Sequence, residues 1–266
     1  RFLNYLLVPL YTAKLAASTG GYGVITEVYS YVALLLVLLT FGMGTTFFRF
    51  VNKGDVPPQR VYSTTLLLVG GVGIAFLLAV FGFLTPIAAA LDYADHPEFL
   101  GMMAVCVAID AFQCIPFAYL RYQRRPIKFA SLKLLFIVLN ITLNLVFFLL
   151  LPWMYEQPGM HAFIAQIYRP DYGVGYAFAI NLCCTALITL FFKQELSGFR
   201  WTFDRQLARR MWHYAWPILV LGIAGILNQT ADKMIFPRLV EGLEGKVQLG
   251  IYGASVKIAM IMAMIT

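Results

Sequence analysis

Runs of about 20 predominantly apolar residues recur along this chain, separated by short polar stretches, and they constrain its fold more than any other feature. A hydrocarbon core about 30 Å thick needs a helix of this length to cross it. Of the 266 residues, 61% are hydrophobic and only 12% are charged, whereas about a quarter of the residues in soluble domains are charged. The sequence therefore predicts a membrane protein.

The apolar runs divide the chain into eight segments, of which seven are long enough to span a bilayer. Because backbone groups in lipid must hydrogen-bond within the protein, these runs are predicted to be helices. The sequence thus predicts an all-α, polytopic membrane helix bundle with about eight transmembrane helices. We expect the chain to be a fragment, since it begins and ends within apolar runs. The segments are 1–15 (truncated), 23–48, 61–84, 99–119, 132–151, 172–192, 214–236 and 247–265.

The basic residues collect in alternate connections between these segments. Short cytoplasmic loops of membrane proteins carry the excess of Lys and Arg, so the basic connections are predicted to be cytoplasmic. This placement, without any nucleic-acid-binding motif, argues against a nucleic-acid partner. Thirteen basic residues lie in one set of connections: Arg49, Lys53, Arg60, Arg121, Arg124, Arg125, Lys128, Lys133, Lys193, Arg200, Arg205, Arg209 and Arg210. The other set holds only Lys14, Arg169, Arg238 and Lys246.

The segment 197–210 carries Phe199, Trp201 and Phe203 among several arginines. This mixture of rings and cations is typical of an amphipathic helix on the cytoplasmic membrane surface. We expect it to link a first transmembrane lobe, residues 1–196, to the start of a second lobe, residues 211–266. An ordinary solvated linker is the alternative.

A weak internal repeat supports two lobes. Pro9 precedes a small-residue stretch and then Gly-Val-Ile at 23–25, while Pro237 precedes a comparable stretch and then Gly-Ile-Tyr at 250–252. The two are about one six-helix unit apart. An even number of helices returns the chain to the same side, so such halves are predicted to be parallel repeats, as in some transporters.

Polar and ionisable side chains within the apolar segments are the candidate site residues. They are costly in lipid and normally face a bundle interior or a water-filled cavity. Adjacent positions point about 100° apart on a helix, so we expect Asp232 and Lys233 to have separate partners. For the asparagines, hydrogen bonding between helices is the alternative. The candidates are Arg1, Asn4, Glu27, Arg49, Asp110, Gln113, Asn140, Asn144, Asn181, Asn228, Gln229, Asp232, Lys233 and Lys257.

Four of these residues, Arg1, Arg49, Lys233 and Lys257, belong to helices in equivalent places of the two repeats. Together they predict a basic cavity. Cations in a low-dielectric cavity suit the oxygens of phosphate or pyrophosphate, so the predicted substrate is anionic. For Arg49 the alternative is a side chain that snorkels from a span end to the cytoplasmic surface.

No pattern indicates an enzyme, a cofactor or a metal site. All four cysteines lie in predicted spans, where a buried apolar role is expected, and the three histidines lack ligand spacing. Gly70, Gly71 and Gly73 lie inside a span and lack the ending of a phosphate-binding loop. We therefore expect no catalytic residues, no metal and no cofactor.

Several stretches resemble a known family. The start of the chain, Arg-Phe-Leu-Asn-Tyr-Leu-Leu-Val-Pro-Leu-Tyr-Thr, and the later Phe-Gly-Met-Gly-Thr-Thr-Phe-Phe-Arg-Phe at 41–50 resemble the start of oligosaccharide flippases. Trp-Pro-Ile-Leu at 216–219, Asp232-Lys233 and Leu-Gly-Ile-Tyr-Gly at 249–253 resemble the opening of that family's second half. These polysaccharide biosynthesis proteins belong to the multidrug/oligosaccharidyl-lipid/polysaccharide exporter superfamily.

The resemblance implies two helical lobes around a cavity that opens alternately to each side of the bacterial cytoplasmic membrane. The implied substrate is a polyprenyl-pyrophosphate-linked oligosaccharide, with contacts to membrane lipids and to polysaccharide assembly proteins. We carry substrate binding onto Arg1, Arg49, Lys233, Lys257, Asn4 and Asn228, although many relatives have Arg where Lys233 stands.

Transport would be coupled to H⁺, Na⁺ or the membrane potential, and Glu27, Asp110 and Asp232 are the carboxylates placed to respond. A cation-coupled multidrug exporter of the same superfamily is an alternative function. It would be expected to carry acidic cavity residues. A membrane-embedded glycan polymerase or ligase is the second alternative, although residues 152–171, the longest predicted outer loop, hold few groups suited to catalysis.

Overall fold

A computed structural model of the protein describes residues 7–15, 20–157, 159–197, 199, 201–240 and 242–265. Within these ranges the regular elements are helical and none is a strand, which confirms the all-α prediction there. A π-helical turn (Val146–Leu150) and a 3₁₀ turn (Pro170–Tyr172) interrupt the α-helices. The α-helices are α1 (Leu7–Lys14), α2 (Gly21–Thr40), α3 (Met43–Lys53), α4 (Pro58–Gly82), α5 (Leu84–Ala90), α6 (Pro97–Tyr122), α7 (Pro126–Leu145), α8 (Leu151–Tyr155), α9 (His161–Ile164), α10 (Val174–Leu190), α11 (Lys193–Ser197), α12 (Arg205–Leu239) and α13 (Gly242–Ile265).

Five helical segments in the described part of the chain are long and apolar enough to cross a membrane. Helix α10 is apolar but shorter, with 17 residues. Large apolar side chains such as Ile74 and Leu78 stay exposed on α4, as expected for a surface that faces lipid. The chain is a multi-pass membrane protein, and the predicted count of eight spans stays a prediction. The five segments are Gly21–Lys53, Pro58–Gly82, Pro97–Tyr122, Pro126–Tyr155 and Arg205–Leu239.

The predicted span 23–48 contains a break between α2 and α3. Phe41 and Gly42 both have positive φ, 32° and 69°. A Cβ atom at Gly42 would lie 2.7 Å from the side chain of Ile218 on α12. Because this backbone region favours glycine and the space beside it is too small for a side chain, glycine is the residue that fits at position 42.

The helix predicted over 197–210 is only partly present. Residues 201–204 are not helical, and α12 begins at Arg205. The backbone N–H of Leu207 donates to Asp204 Oδ1 at 3.0 Å, so Asp204 caps the start of α12. Residues 205–210 are therefore the first turns of a 35-residue helix. The expectation of one surface helix was wrong for 201–204, and the linker role of 197–210 stays a prediction.

The chain forms two compact units. Unit 1 comprises Arg1–Tyr31, Leu135–Cys184 and Ala231–Thr266, and unit 2 comprises Val32–Leu134 and Thr185–Thr230. Helices α2, α7, α10 and α12 therefore contribute residues to both units. Large rings dominate the core of unit 2. Tyr62 stacks on Tyr119 with ring centroids 4.3 Å apart, and Phe47 meets the edge of Tyr62 at 6.3 Å.

Candidate functional site

A cluster of charged groups joins α12 to α13 within unit 1. Lys233 Nζ donates to both carboxylate oxygens of Asp232 at 3.0 Å. The hydroxyl of Tyr252, on α13, donates to Asp232 Oδ2 at 2.5 Å. Lys233 is only 9% exposed, so its charge is held largely away from solvent. We call Asp232, Lys233 and Tyr252 the α12–α13 cluster.

The prediction that Asp232 and Lys233 would not satisfy each other is wrong. Their side chains leave the helix in directions about 100° apart, but the four-carbon stem of lysine is long and flexible enough to return its ammonium group to the neighbouring carboxylate. Asp232 also has the predicted partner on another element, which is Tyr252.

Two further predicted residues lie in unit 1. Glu27, on α2, is 2% exposed, and Lys257, on α13, is half-buried. Unit 1 therefore holds two carboxyl groups and two cations of the predicted site, on α2, α12 and α13. A carboxyl group as deeply buried as that of Glu27 is costly unless it is protonated or hydrogen-bonded, which keeps it among the candidates for coupling.

Helices α2 and α13 approach each other through glycine. A Cβ atom at Gly250 would lie 2.9 Å from the backbone nitrogen of Gly23, and a Cβ atom at Gly23 would overlap the carbonyl oxygen of Lys246. Small residues allow such close contact between helix backbones in membranes. Gly23 and Gly250 are the glycines that stand at equivalent places in the predicted repeat.

The asparagines of α7 form a hydrogen-bonded network in unit 1. The hydroxyl of Tyr11, on α1, donates to Asn144 Oδ1 at 2.7 Å. Asn144 Nδ2 donates to the carbonyl oxygen of Asn140 at 2.8 Å. Both asparagines are buried, so this network favours the structural interpretation, hydrogen bonding between helices.

The remaining predicted binding residues are distributed differently. Arg49 lies on α3 in unit 2, where its guanidinium carbon is 4.3 Å from the ring centre of Tyr214. Asn228, on α12 in unit 2, is exposed. Arg1 and Asn4 lie outside the described residues. The convergence of the four cations on one cavity therefore stays a prediction.

Asp110 belongs to a polar cluster in unit 2. Its carboxyl group is hydrogen-bonded to Thr185 on α10 and interacts electrostatically with Lys133 on α7. Lys133 Nζ lies 4.0 Å from the ring centre of Phe117. One turn after Asp110, Gln113 Nε2 donates to the carbonyl oxygen of Thr185 at 2.8 Å. The cluster thus links α6, α7 and α10.

Three residues of these clusters escaped the prediction of the site. The sequence pattern groups Lys133 with the basic cytoplasmic connection, although α7 begins seven residues earlier, at Pro126. Its position inside a predicted span was the available signal. Tyr252 and Thr185 are ordinary residues of apolar helices, and nothing in the pattern distinguished them from other tyrosines and threonines.

All four cysteines are free, and the described residues contain no group of three or more His, Cys, Asp or Glu side chains placed to hold a metal ion. Comparison with known proteins gives no relative. The chain matches no protein-family model, no curated protein and no solved structure.

Proposed function

We propose that this protein is a transporter that moves a polyprenyl-pyrophosphate-linked oligosaccharide across a bacterial cytoplasmic membrane by alternating access, as a step in cell-surface polysaccharide synthesis. The proposal rests on the resemblance of the sequence to oligosaccharide flippases and on the placement of charged groups in apolar helices. The α12–α13 cluster is the observation that carries it.

A lysine that is 9% exposed on a helix long and apolar enough to cross the membrane is energetically costly. Residues of this kind are typical of substrate and ion pathways. The ammonium of Lys233 donates to the Asp232 carboxylate at 3.0 Å. A phosphate or pyrophosphate oxygen presents the same negative charge and the same acceptor geometry as that carboxylate.

The proposed binding step is therefore an exchange of anions. The pyrophosphate of the substrate takes the place of the Asp232 carboxylate beside Lys233, and Tyr252 keeps a hydrogen bond to Asp232. Because the side chain of Asp232 is 41% exposed, it can move away without passing through a packed core. Asp232 is then a proposed coupling group, since an H⁺ or Na⁺ that neutralises it would release Lys233 for the substrate.

The test is a flipping assay on the full-length protein in vesicles, with a labelled lipid-linked oligosaccharide and a membrane-impermeant quencher. We expect Lys233→Ala to slow flipping about tenfold, because one charge-assisted contact is lost. Lys193→Ala, which removes an exposed lysine from α11, is the matched control and is expected to stay near the native rate. Lys233→Arg should retain activity, since it keeps the cation.

Equal slowing by the Lys233 and Lys193 variants would contradict a specific role for Lys233. Absence of flipping by the native protein with every plausible glycolipid would overturn the proposed function itself.

A cation-coupled multidrug exporter is the second candidate, and one observation favours it. Asp232 cancels the charge of Lys233, and Glu27 adds a buried carboxyl group in the same unit. With Lys233 neutralised, the buried carboxyl group of Glu27 is the group that suits a cationic drug. The flipping assay distinguishes the two candidates. A multidrug exporter would leave the glycolipid in its original leaflet and would instead protect cells against cationic compounds.

A further inference from the structure

A polar cavity of about 490 Å³ lies in unit 2, between the end of α6 and helix α11. We call it the α6–α11 cavity. Three of its residues come from the last turn of α6 and the turn that follows, and three come from α11. None of the proposed transport residues belongs to it. The lining residues are Tyr119, Gln123, Arg125, Gln194, Glu195 and Ser197.

Glu195, the carboxylate among the lining residues, is neutralised by Lys128. Lys128 Nζ donates to Glu195 Oε1 at 2.7 Å and to Oε2 at 3.0 Å, and it also donates to Gln194 Oε1 at 3.2 Å. The Glu195 side chain is 1% exposed. Because both carboxylate oxygens accept from one ammonium group, this pair anchors α11 to the start of α7 and adds no net charge to the cavity.

Arg125 supplies the uncompensated charge. It is exposed, and within the described part of the chain its guanidinium group has neither a hydrogen bond nor an ion pair. Gln123 is exposed beside it, and the hydroxyl of Ser197, which donates to the carbonyl oxygen of Gln194 at 2.8 Å, can still accept hydrogen bonds. The cavity thus offers one fork-shaped cation and several neutral polar groups.

The cavity lies where the chain leaves the membrane. One membrane-crossing segment ends at Tyr122 and the next begins at Pro126, so the turn between them stands at the boundary between hydrocarbon and water. Apolar side chains flank the lining residues in sequence. Ile127 is 83% exposed and Phe191 is 52% exposed. The basic residues of this turn place it on the cytoplasmic side under the positive-inside rule.

We propose that the α6–α11 cavity binds the phosphodiester headgroup of an anionic phospholipid such as phosphatidylglycerol. Arg125 contacts the phosphate oxygens, and Gln123 and Ser197 contact the glycerol hydroxyls. Basic pockets between transmembrane helices on the cytoplasmic side are suited to such headgroups. The proposal concerns the surrounding lipid and does not depend on what the protein transports.

Titration of phosphatidylglycerol onto the full chain in phosphatidylcholine nanodiscs, read by native mass spectrometry, tests the site. We expect Arg125→Gln to weaken retention of phosphatidylglycerol about tenfold, because it removes one charge-assisted contact to phosphate. Arg124→Gln is the matched control. It removes the same charge from the adjacent exposed position, which does not line the cavity, and it should leave retention nearly unchanged.

Equal losses in the two variants, or no loss in Arg125→Gln, would overturn the site in favour of unspecific attraction between a basic loop and an anionic membrane. If Arg125→Gln lowers the thermal stability, Gln123→Ala takes its place and should reduce the preference for phosphatidylglycerol over phosphatidic acid. A parallel titration with soluble glycerophosphoglycerol tests whether the cavity binds the headgroup as part of a lipid or as a free compound. Retention of the soluble compound without retention of the lipid would contradict a lipid site.

Discussion

Lys233 in unit 1 and Arg49 in unit 2 are stabilised in different ways. In unit 1 the ammonium of Lys233 is paired with the carboxylate of Asp232 at 3.0 Å. In unit 2 the guanidinium carbon of Arg49 lies 4.3 Å from the ring centre of Tyr214. An ion pair holds a cation through a partner that another anion can replace, whereas an aromatic face attracts cations and has no net charge. Lys233 is therefore better suited than Arg49 to exchange its partner for another anion.

The helices of the two units also pack through different kinds of residue, glycines in unit 1 and aromatic rings in unit 2. In unit 1 helices α2 and α13 meet at Gly23 and Gly250 with their backbones in contact. In unit 2 large rings such as Phe47, Tyr62 and Tyr119 fill the space between helices. The contact between α2 and α13 should thus be sensitive to added atoms, while the ring cluster of unit 2 should be sensitive to lost rings.

The largest effect is expected from Gly23→Leu, which tests whether unit 1 tolerates any side chain at its glycine contact. The new atoms would overlap the carbonyl oxygen of Lys246, and relieving such overpacking costs about 3 kcal/mol or more. Thermal unfolding of the purified protein in detergent measures the loss. Gly71→Leu is the control, because a Cβ atom at Gly71 meets nothing within 4 Å. Similar losses in both variants would show that the contact is not specific to Gly23.

Much of the fold was predictable from apolar runs, because length and hydropathy alone distinguish a membrane-crossing helix. The break at Phe41 and Gly42 was not predictable, since it depends on Ile218, far along the chain. The helix predicted over 197–210 was wrong at 201–204 because rings mixed with arginines suit a loop as well as an amphipathic helix, and the cap at Asp204 decides where α12 begins.

The site was less predictable than the fold. The search for ionisable residues in apolar runs singles out Asp110, Asp232 and Lys233 as candidates, because a charge in a span is rare enough to be noticed. Their partners Thr185 and Tyr252 could not be found in this way. A hydrogen bond between distant helices depends on rotation and depth, which the order of residues along one helix does not reveal.

An intermediate effect is expected from a double-mutant cycle on Asp232→Asn and Lys233→Gln, which tests whether the ion pair of unit 1 is energetically real. Residues in direct contact at 3.0 Å should show a coupling of about 1 to 2 kcal/mol in thermal unfolding. The control cycle uses Arg60→Gln and Asp204→Asn in unit 2, a more exposed pair at 3.7 Å, where a coupling of about 0.5 kcal/mol or less is expected. Equal coupling energies in the two cycles would show that the Asp232–Lys233 pair is no stronger than the Arg60–Asp204 pair.

The smallest effect is expected in unit 2, from Tyr214→Leu, which removes the ring beside Arg49. An exposed cation–π contact contributes about 0.5 to 1 kcal/mol, and Tyr214→Phe should retain it because the ring remains. Since Tyr214 also packs edge-on against Phe50, a cycle with Arg49→Gln is needed to separate the electrostatic part from lost packing. If the coupling between positions 49 and 214 is zero, Arg49 is not stabilised by the ring, and the distinction between an exchangeable cation in unit 1 and a ring-held cation in unit 2 fails at this residue.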